Sequence, residues 1–580
     1  MVNFDFFTPI KFGNYHNRTT RLRIAVINNY VCVSTIGVLL QFHFVMIKPI
    51  TKSIAAIFVI ALMPFILIAQ KPKKAPEVKE GDGPYPQLII RGVTLINSTG
   101  APPTGPVDIV VEGNRITSIV TVAPAGMNIT SDNRPKLKAG GKEFIATGMY
   151  LMPGFIDMHA HIGGEGKGSD AEYVFKLWMA HGVTTIREPG CLNGLDWVLD
   201  EREKSSRNVI TAPRIKAYCV FGQGSKTPIS TPAQAVTWVQ ENAKRGADGI
   251  KFFGAPPDIM AAALAENKKL GLRSCAHHAQ TDVGRWNALN SARAGMTSLE
   301  HWYGLPEAMF TDRTIQNYST GYNYQNEQDR FGEAGTLWKQ AAAPFSEKWN
   351  KVMNELISLD FTLDPTFNIY EANRDLMRAR TVEWHQDYTM PELWNFYAPS
   401  WNSHGSYWHS WGTEQEVLWK ENYRLWMAFI NEYKNRGGRV TVGTDSGFIY
   451  ELYGFAYIRE LELLREAGFS PLEVIRAATL NGAEALGMDK EIGSVEVGKL
   501  ADFVLVKENP LQNLQVLYGT GTIRLDDNNQ VYRAGGVVYT IKDGIIYDAK
   551  KLLADVKTMV AAEKVKTGFN FSQPGVKASK

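Results

Sequence analysis

Short apolar runs alternate with helix-length amphipathic stretches through the middle of the chain. The runs are Leu151–Asp157, Thr184–Ile186, Arg214–Tyr218, Gly249–Phe253, Leu272–Ala276, Thr297–Glu300, Phe361–Leu363 and Arg439–Val442. Strand followed by helix, repeated eight times, predicts a parallel α/β barrel of the (β/α)₈ TIM type, whose chemistry sits on the loops at the carboxyl ends of the strands. On either side lie β-rich runs of a different kind. Gln87–Ile96 and Val107–Val120 carry Gly-Asn punctuation, while Ala501–Val506 and Val537–Tyr547 carry Asp-Gly. These dipeptides are hairpin turns, so the two ends of the folded chain are expected to pair into one small, discontinuous β-sandwich domain. No short repeat recurs, which excludes solenoids and propellers.

Two regions break the rhythm. Residues 310–426 separate neighbouring strands too widely and are crowded with Trp338, Trp349, Trp384, Trp394, Trp401, Trp408, Trp411, Trp419 and Trp426. This reads as an aromatic-rich insertion that covers the barrel mouth or forms a contact surface, such as a subunit interface of a homo-oligomer. Near the start, the basic stretch Met46–Lys52 precedes the apolar run Ile54–Ala69, after which Gln70-Lys-Pro-Lys-Lys74 is abruptly polar. That order matches a signal peptide, or a retained anchor that tethers the protein to a membrane, and it places the body outside the cytoplasm, periplasmic or secreted. The expected division is therefore an N-terminal extension over 1–45, the signal or anchor over 46–70 and an exposed linker over 71–86. The first part of the β domain then spans 87–150, the barrel 151–490, the second part of the β domain 491–555, and a C-terminal tail 556–580.

Composition narrows the function. With 44% hydrophobic and 21% charged residues among 580, the body is an ordinary folded protein. Lys and Arg number 62 against 59 Asp and Glu, a balance that argues against a nucleic-acid partner. Cys32, Cys191, Cys219 and Cys275 form no CxxC pair, so neither a disulfide framework nor a thiolate metal site is indicated.

The candidate chemistry lies at strand ends. His159 and His161 close the first barrel strand, and side chains two apart on a strand share a face, so both imidazoles can hold one metal ion. Further candidates fall one per strand end: Lys251, His277, His301 and Asp445. His277 and His278 are adjacent and point to opposite sides of a strand; His277 is the expected ligand and His278 the alternative.

The motifs Gly154-Phe-Ile-Asp-Met-His-Ala-His161, Gly246-Ala-Asp-Gly-Ile-Lys251, Ser298-Leu-Glu-His301 and Gly443-Thr-Asp445 resemble the metal-binding signatures of the amidohydrolase superfamily. Within it, the likeness is to the branch of imidazolonepropionase-like proteins and Xaa-Pro or basic-residue dipeptidases, over roughly residues 87–550. The resemblance implies two divalent metal ions, zinc by default. His159, His161 and Asp445 would bind the first, His277 and His301 the second, and a carbamate formed on Lys251 by carbon dioxide would bridge the pair. It implies a hydrolase that cuts an amide-type bond in a dipeptide, an N-acyl amino acid or a cyclic amide, using a water acidified between the metals. Asp445 would act as general base and then general acid.

Arg187 and Tyr218, at the ends of the second and third strands, are the candidate substrate contacts, with His278 as a third. A mononuclear deaminase or imidazolone-type hydrolase of the same fold is the nearest rival. That pattern carries a glutamate three residues after the fifth-strand histidine, where this chain has Gln280 or Thr281. An inactive secreted barrel that binds a glycan or partner through its tryptophans is the alternative from a different class.

Overall fold

The computed structural model describes residues 71–123, 134–400, 404 and 411–570. The N-terminal extension, the apolar run over 54–69, Cys32, Trp401 and Trp408 lie outside the described residues. Among the described residues no helix is long and apolar enough to cross a membrane.

The chain first builds β1 (Gln87–Leu95), β2 (Thr104–Glu112), β3 (Arg115–Thr121), β4 (Lys142–Ile145) and β5 (Tyr150–Pro153). It then enters eight strands: β6 (Phe155–Asp157), β7 (Val183–Gly190), β8 (Arg214–Val220), β9 (Gly249–Phe252), β10 (Arg273–Ala276), β11 (Ser298–Glu300), β12 (Thr362–Asp364) and β13 (Arg439–Val440). These lie side by side in chain order, every neighbouring pair parallel. The Met158 amide donates to Val442 O at 2.9 Å, so the last strand returns to the first, as in a TIM-type barrel. Each of the eight expected strand positions is occupied by a strand. β7, β9, β11 and β12 are buried along their whole length, the condition of a parallel sheet covered on both faces, which is why they read as runs without alternation.

After the barrel come β14 (Phe503–Val506), β15 (Thr522–Leu525), β16 (Val531–Ala534), β17 (Val537–Lys542) and β18 (Ile545–Asp548). Strands from both ends join in one sheet in the order β18-β17-β14-β5-β1-β2-β3, with β4 also pairing to β1. The discontinuous domain is thus one sheet rather than two stacked ones. It curls over its own core of Leu88, Ile90, Ile109, Leu151, Phe503 and Ile541, and its far end meets its middle where the Ile116 amide donates to Lys499 O. Asp543 and Gly544 both take positive φ between β17 and β18, the two left-handed residues that a tight hairpin turn requires.

Three expectations need correction. The run Leu151–Asp157 is not one strand. It divides at Gly154, where a Cβ would stand 2.1 Å from Thr184 Oγ1, and the halves go to different sheets. The exposed linker over 71–86 is in its first half a strap fixed to the barrel. The Ala75 amide donates to Glu201 Oε2 at 3.0 Å, the Lys73 amide to Asp170 at 2.7 Å, and Lys176 binds Glu80 at 2.7 Å. Its lack of apolar periodicity hid this, because the attachment is polar. The tail over 556–580 begins inside a helix, Ala549–Thr567, which buries Leu552, Leu553, Val556 and Val560.

Among the described residues of the aromatic insertion, four tryptophans are packed rather than displayed. Trp338, Trp349, Trp419 and Trp426 are buried, and Trp419 stacks on Tyr370 with ring centroids 5.4 Å apart. The long helix Thr413–Asn435 carries the last two of these tryptophans against the barrel.

Candidate metal centre

His159 and His161 follow β6, Lys251 lies on β9, and His277, His301 and Asp445 follow β10, β11 and β13. The six side chains converge. Asp445 Oδ1 lies 3.2 Å from His161 Nε2 and 3.5 Å from His159 Nε2, while its Oδ2 lies 3.6 Å from His301 Nε2. Lys251 Nζ lies 3.1 Å from His159 Nε2, and the rings of His277 and His301 are 4.7 Å apart. His301 and Asp445 both have positive φ, 59° and 51°, which costs on the order of 1–3 kcal/mol for a non-glycine residue and concentrates at functional sites. The Asp445 turn is held by its own amide, which donates to His159 O at 2.7 Å.

Oxygens of Glu188 and Thr366 orient the imidazoles of His161 and His301. His161 Nδ1 lies 3.0 Å from Glu188 Oε1, whose other oxygen accepts from the Ile162 amide. His301 Nδ1 lies 2.5 Å from Thr366 Oγ1, and His159 Nδ1 lies 2.9 Å from Glu300 Oε2. The Nδ1 contacts of His161 and His301 are hydrogen bonds that turn their Nε2 atoms inward, the arrangement that fixes the tautomer of metal-binding histidines, whereas His159 Nδ1 meets Glu300 as a close approach without hydrogen-bond geometry. Glu188, Glu300 and Thr366 were not singled out from sequence. The available signal was that Glu188 and Glu300 each adjoin a residue already marked, Arg187 and His301.

Burial, and then the charge of Lys251, holds the His159 imidazole well below the usual histidine range; burial and the neighbouring His301 do the same to His277. Burial also lowers His301 to about 4. For Asp445 burial acts upward, yet His159, His161 and His301 together hold its carboxyl well below the ordinary value. For His161 burial acts downward, yet Glu188 and Asp445 together raise it above the usual histidine value. Neutral imidazoles at His159, His277 and His301 beside an ionised carboxylate are the protonation states that a cation needs from its ligands. A metal fits on a further observation. Nε2 of His277 and of His301 are buried with no hydrogen-bond partner among the described residues, a costly state that a cation relieves. Ligand atoms of His159, His301 and Asp445 lie within 4.8 Å of one another. The neighbouring group of His159, Glu300 and Asp364 is equally close but already holds a cation: Arg187 Nη2 lies 2.7 Å from Glu300 and 3.5 Å from Asp364.

Three expected substrate contacts do not reach the site. Arg187 is buried inside the barrel, where its Nε donates to Met158 O and its Nη1 to Ser298 Oγ. Tyr218 is buried against it, the guanidinium 5.4 Å from the ring centroid. His278 turns away, with Nε2 3.0 Å from Ser291 Oγ, leaving His277 as the one that faces the cluster. A β-strand alternates faces, and sequence could not say which residue at a strand end points up into the mouth and which points into the packed interior. The cluster opens instead onto a cavity of about 400 Å³ lined by Lys251, His277 and Asp445 together with Arg330, Phe331 and Tyr370 from the insertion.

Comparison with known proteins agrees with this geometry. Residues 426–546 match the amidohydrolase family. The chain carries an amidohydrolase-family domain. A 5'-deoxyadenosine deaminase of Methanobrevibacter smithii is 33% identical over 123 residues, which are 20% of this chain and 27% of that protein. The chain thus spans about a quarter of the length of this curated relative. The likeness in fold extends much further than the likeness in sequence. A Xaa-Pro dipeptidase solved with methionine in its active site superimposes with a TM-score of 0.52 at 18% identity, covering 80% of this chain and all (100%) of the other. A bottromycin amidohydrolase gives 0.55 at 18% identity, covering 83% and 91%.

Proposed function

We propose that this protein is a metal-dependent hydrolase that cuts an amide-type bond of a small molecule or short peptide. The observation that carries the reading is the meeting of Asp445, His159, His161 and His301, with Lys251 Nζ 3.1 Å from His159 Nε2, at the floor of one cavity. His159, His161 and Asp445 would hold one divalent ion and His277 and His301 a second. The Lys251 amine, on adding carbon dioxide and releasing a proton, would become a carbamate and offer the ions a carboxylate ligand. Zinc suits this nitrogen and oxygen donor set, as do manganese, iron and cobalt. Such a pair, when bound, supplies Lewis acidity that makes water a nucleophile at neutral pH and polarises a carbonyl.

The chain's own part is positioning and proton transfer. Asp445, ionised and at the cavity floor, accepts a proton from water and delivers it to the departing amine. Glu188 and Thr366 keep His161 and His301 in register. Phe331 and Tyr370 exclude water from one wall. The apolar run over 54–69 supports delivery outside the cytoplasm, by a cleaved signal or a retained tether.

Relatives named as deaminases favour a second reading, a mononuclear enzyme of the same fold. Lys251 in the cluster supports two ions instead, and Gln280 stands where that pattern has glutamate. One experiment separates them: metal per chain, measured after refolding with and without bicarbonate, alongside turnover of a panel of dipeptides, N-acyl amino acids, cyclic amides and aminopurines. Two ions, bicarbonate dependence and amide cleavage are expected. One ion and ammonia release from the aminopurines would replace the reading, and a metal-replete protein inert to every compound would favour a binding role.

A further inference from the structure

The cavity contains a cation that the proposed hydrolysis does not use. Arg330 stands on the insertion helix Glu327–Ala334, with its side chain 14% exposed. Its guanidinium carbon lies 4.7 Å from the ring centroid of Tyr324 and 5.0 Å from that of Phe331, so two aromatic rings fix its orientation. Its Nε is buried with no hydrogen-bond partner among the described residues. The carboxylate beside it, Glu327, stays 3.5 Å from Nη1, against about 2.7–2.9 Å for a charge-assisted hydrogen bond. Glu327 is also shared, its second oxygen lying 3.1 Å from His404 Nδ1. A guanidinium with one buried, unpaired nitrogen, a long contact to a shared carboxylate and its remaining face on the cavity is poised for an anion to complete it.

The anion must come from the cavity, since Arg330 lines the same 400 Å³ space as Lys251, His277 and Asp445. A planar guanidinium fork matches a carboxylate, two parallel N–H groups to two oxygens. Phe253, Phe331 and Tyr370 line the same space and suit an apolar group next to that carboxylate. We infer that Arg330 determines specificity in this cavity by taking the free carboxylate of the substrate, which makes the substrate an N-acyl amino acid or dipeptide with a bulky apolar side chain rather than a neutral cyclic amide. The inference rests on the hydrolase reading for the amide, but the carboxylate site stands on Arg330 alone.

The test compares N-acetyl-L-phenylalanine with its carboxamide, N-acetyl-L-phenylalaninamide, on the metal-loaded full chain. Hydrolysis is followed as kcat and KM, and binding separately by calorimetry on Asp445→Asn protein. The acid is expected to bind and react better than the amide by roughly 10- to 100-fold, the usual worth of a hydrogen-bonded charge. Arg330→Gln should collapse that preference through KM, and Arg330→Lys, which keeps charge without the fork, should restore part of it. If Arg330→Gln fails to fold, the Arg330→Lys loss is read in its place. Equal hydrolysis of acid and amide, with Arg330 variants affecting both alike, would overturn the inference while leaving the hydrolase intact. Arg330-dependent binding of the acid with no hydrolysis of either compound would do the reverse. Binding of neither compound through Arg330 also overturns it.

Discussion

Arg187 donates from Nη2 to Glu300 Oε1 across 2.7 Å in the sealed interior of the barrel, beneath the histidine cluster. Asp364 stands 3.5 Å from the same nitrogen, so one guanidinium answers two buried carboxylates, one of which also touches His159. Burial and the neighbouring Glu300 push the Asp364 carboxyl well above its ordinary value, so removing Arg187 leaves chiefly Glu300 without its ion-pair partner. Arg187→Met is expected to lose about 3–5 kcal/mol of stability, the cost of breaking a buried pair on one side. Denaturant midpoints of wild type and variant measure this. A variant of unaltered stability whose only defect is a raised KM would instead put Arg187 in contact with substrate.

Asp445 combines ligation with proton transfer, and asparagine keeps its shape but cannot accept the proton. Asp445→Asn should reduce kcat by about 10²–10⁴ while much of the metal remains, because the histidines are untouched. Kinetics paired with metal analysis of the same preparation decides it. Metal loss in proportion to activity would assign the residue to ligation alone.

Lys251→Ala should lose metal, since the bridging carboxylate disappears with the amine. A short carboxylate such as acetate or propionate, added at high concentration, should return part of the metal and part of the activity. Full activity of the variant without any added acid would remove Lys251 from the centre.

Acid stability can be tested away from the cluster. His385 is buried, with Nδ1 2.9 Å from Thr389 Oγ1 and Nε2 3.0 Å from Ala379 O, and burial lowers its pKa to about 4. The native state therefore holds it neutral while the unfolded state, near 6.5, takes up a proton first. Stability from this group is complete above pH 6.5 and is lost as pH falls towards 4. Between pH 7 and pH 5 the stability advantage of wild type over His385→Gln should shrink by on the order of 2 kcal/mol. Unfolding curves at the two pH values measure the change, and an unchanged difference would mean that His385 is protonated alike in both states.

Much of the architecture was legible because it is periodic. Parallel strands buried on both faces must be short and apolar, and eight of them in alternation with helices leave few topologies. His159, His161, Lys251, His277, His301 and Asp445 could be singled out as candidates because barrel chemistry is confined to strand ends, and the fold brings their side chains together. Direction at those ends was not legible. Arg187 and Tyr218 sit at strand ends as well, but one residue of register separates a side chain that reaches the cluster from one in the packed core, and Glu188, next to Arg187, is the one that meets a cluster histidine, His161.

The amino-acid order by itself determined the eight barrel strands, the β-rich runs at both ends and the residue types at strand ends that make a metal site conceivable, since each depends on local periodicity and residue type. Tertiary structure alone decided that His277 rather than His278 faces the cluster, that the polar stretch from Lys71 to Glu80 is strapped to the barrel, and that Arg330, far away in an irregular insertion, reaches the same cavity as Lys251. Those outcomes depend on which distant surfaces meet. No local pattern encodes such a meeting, because it is settled by packing and charge compensation across the whole fold.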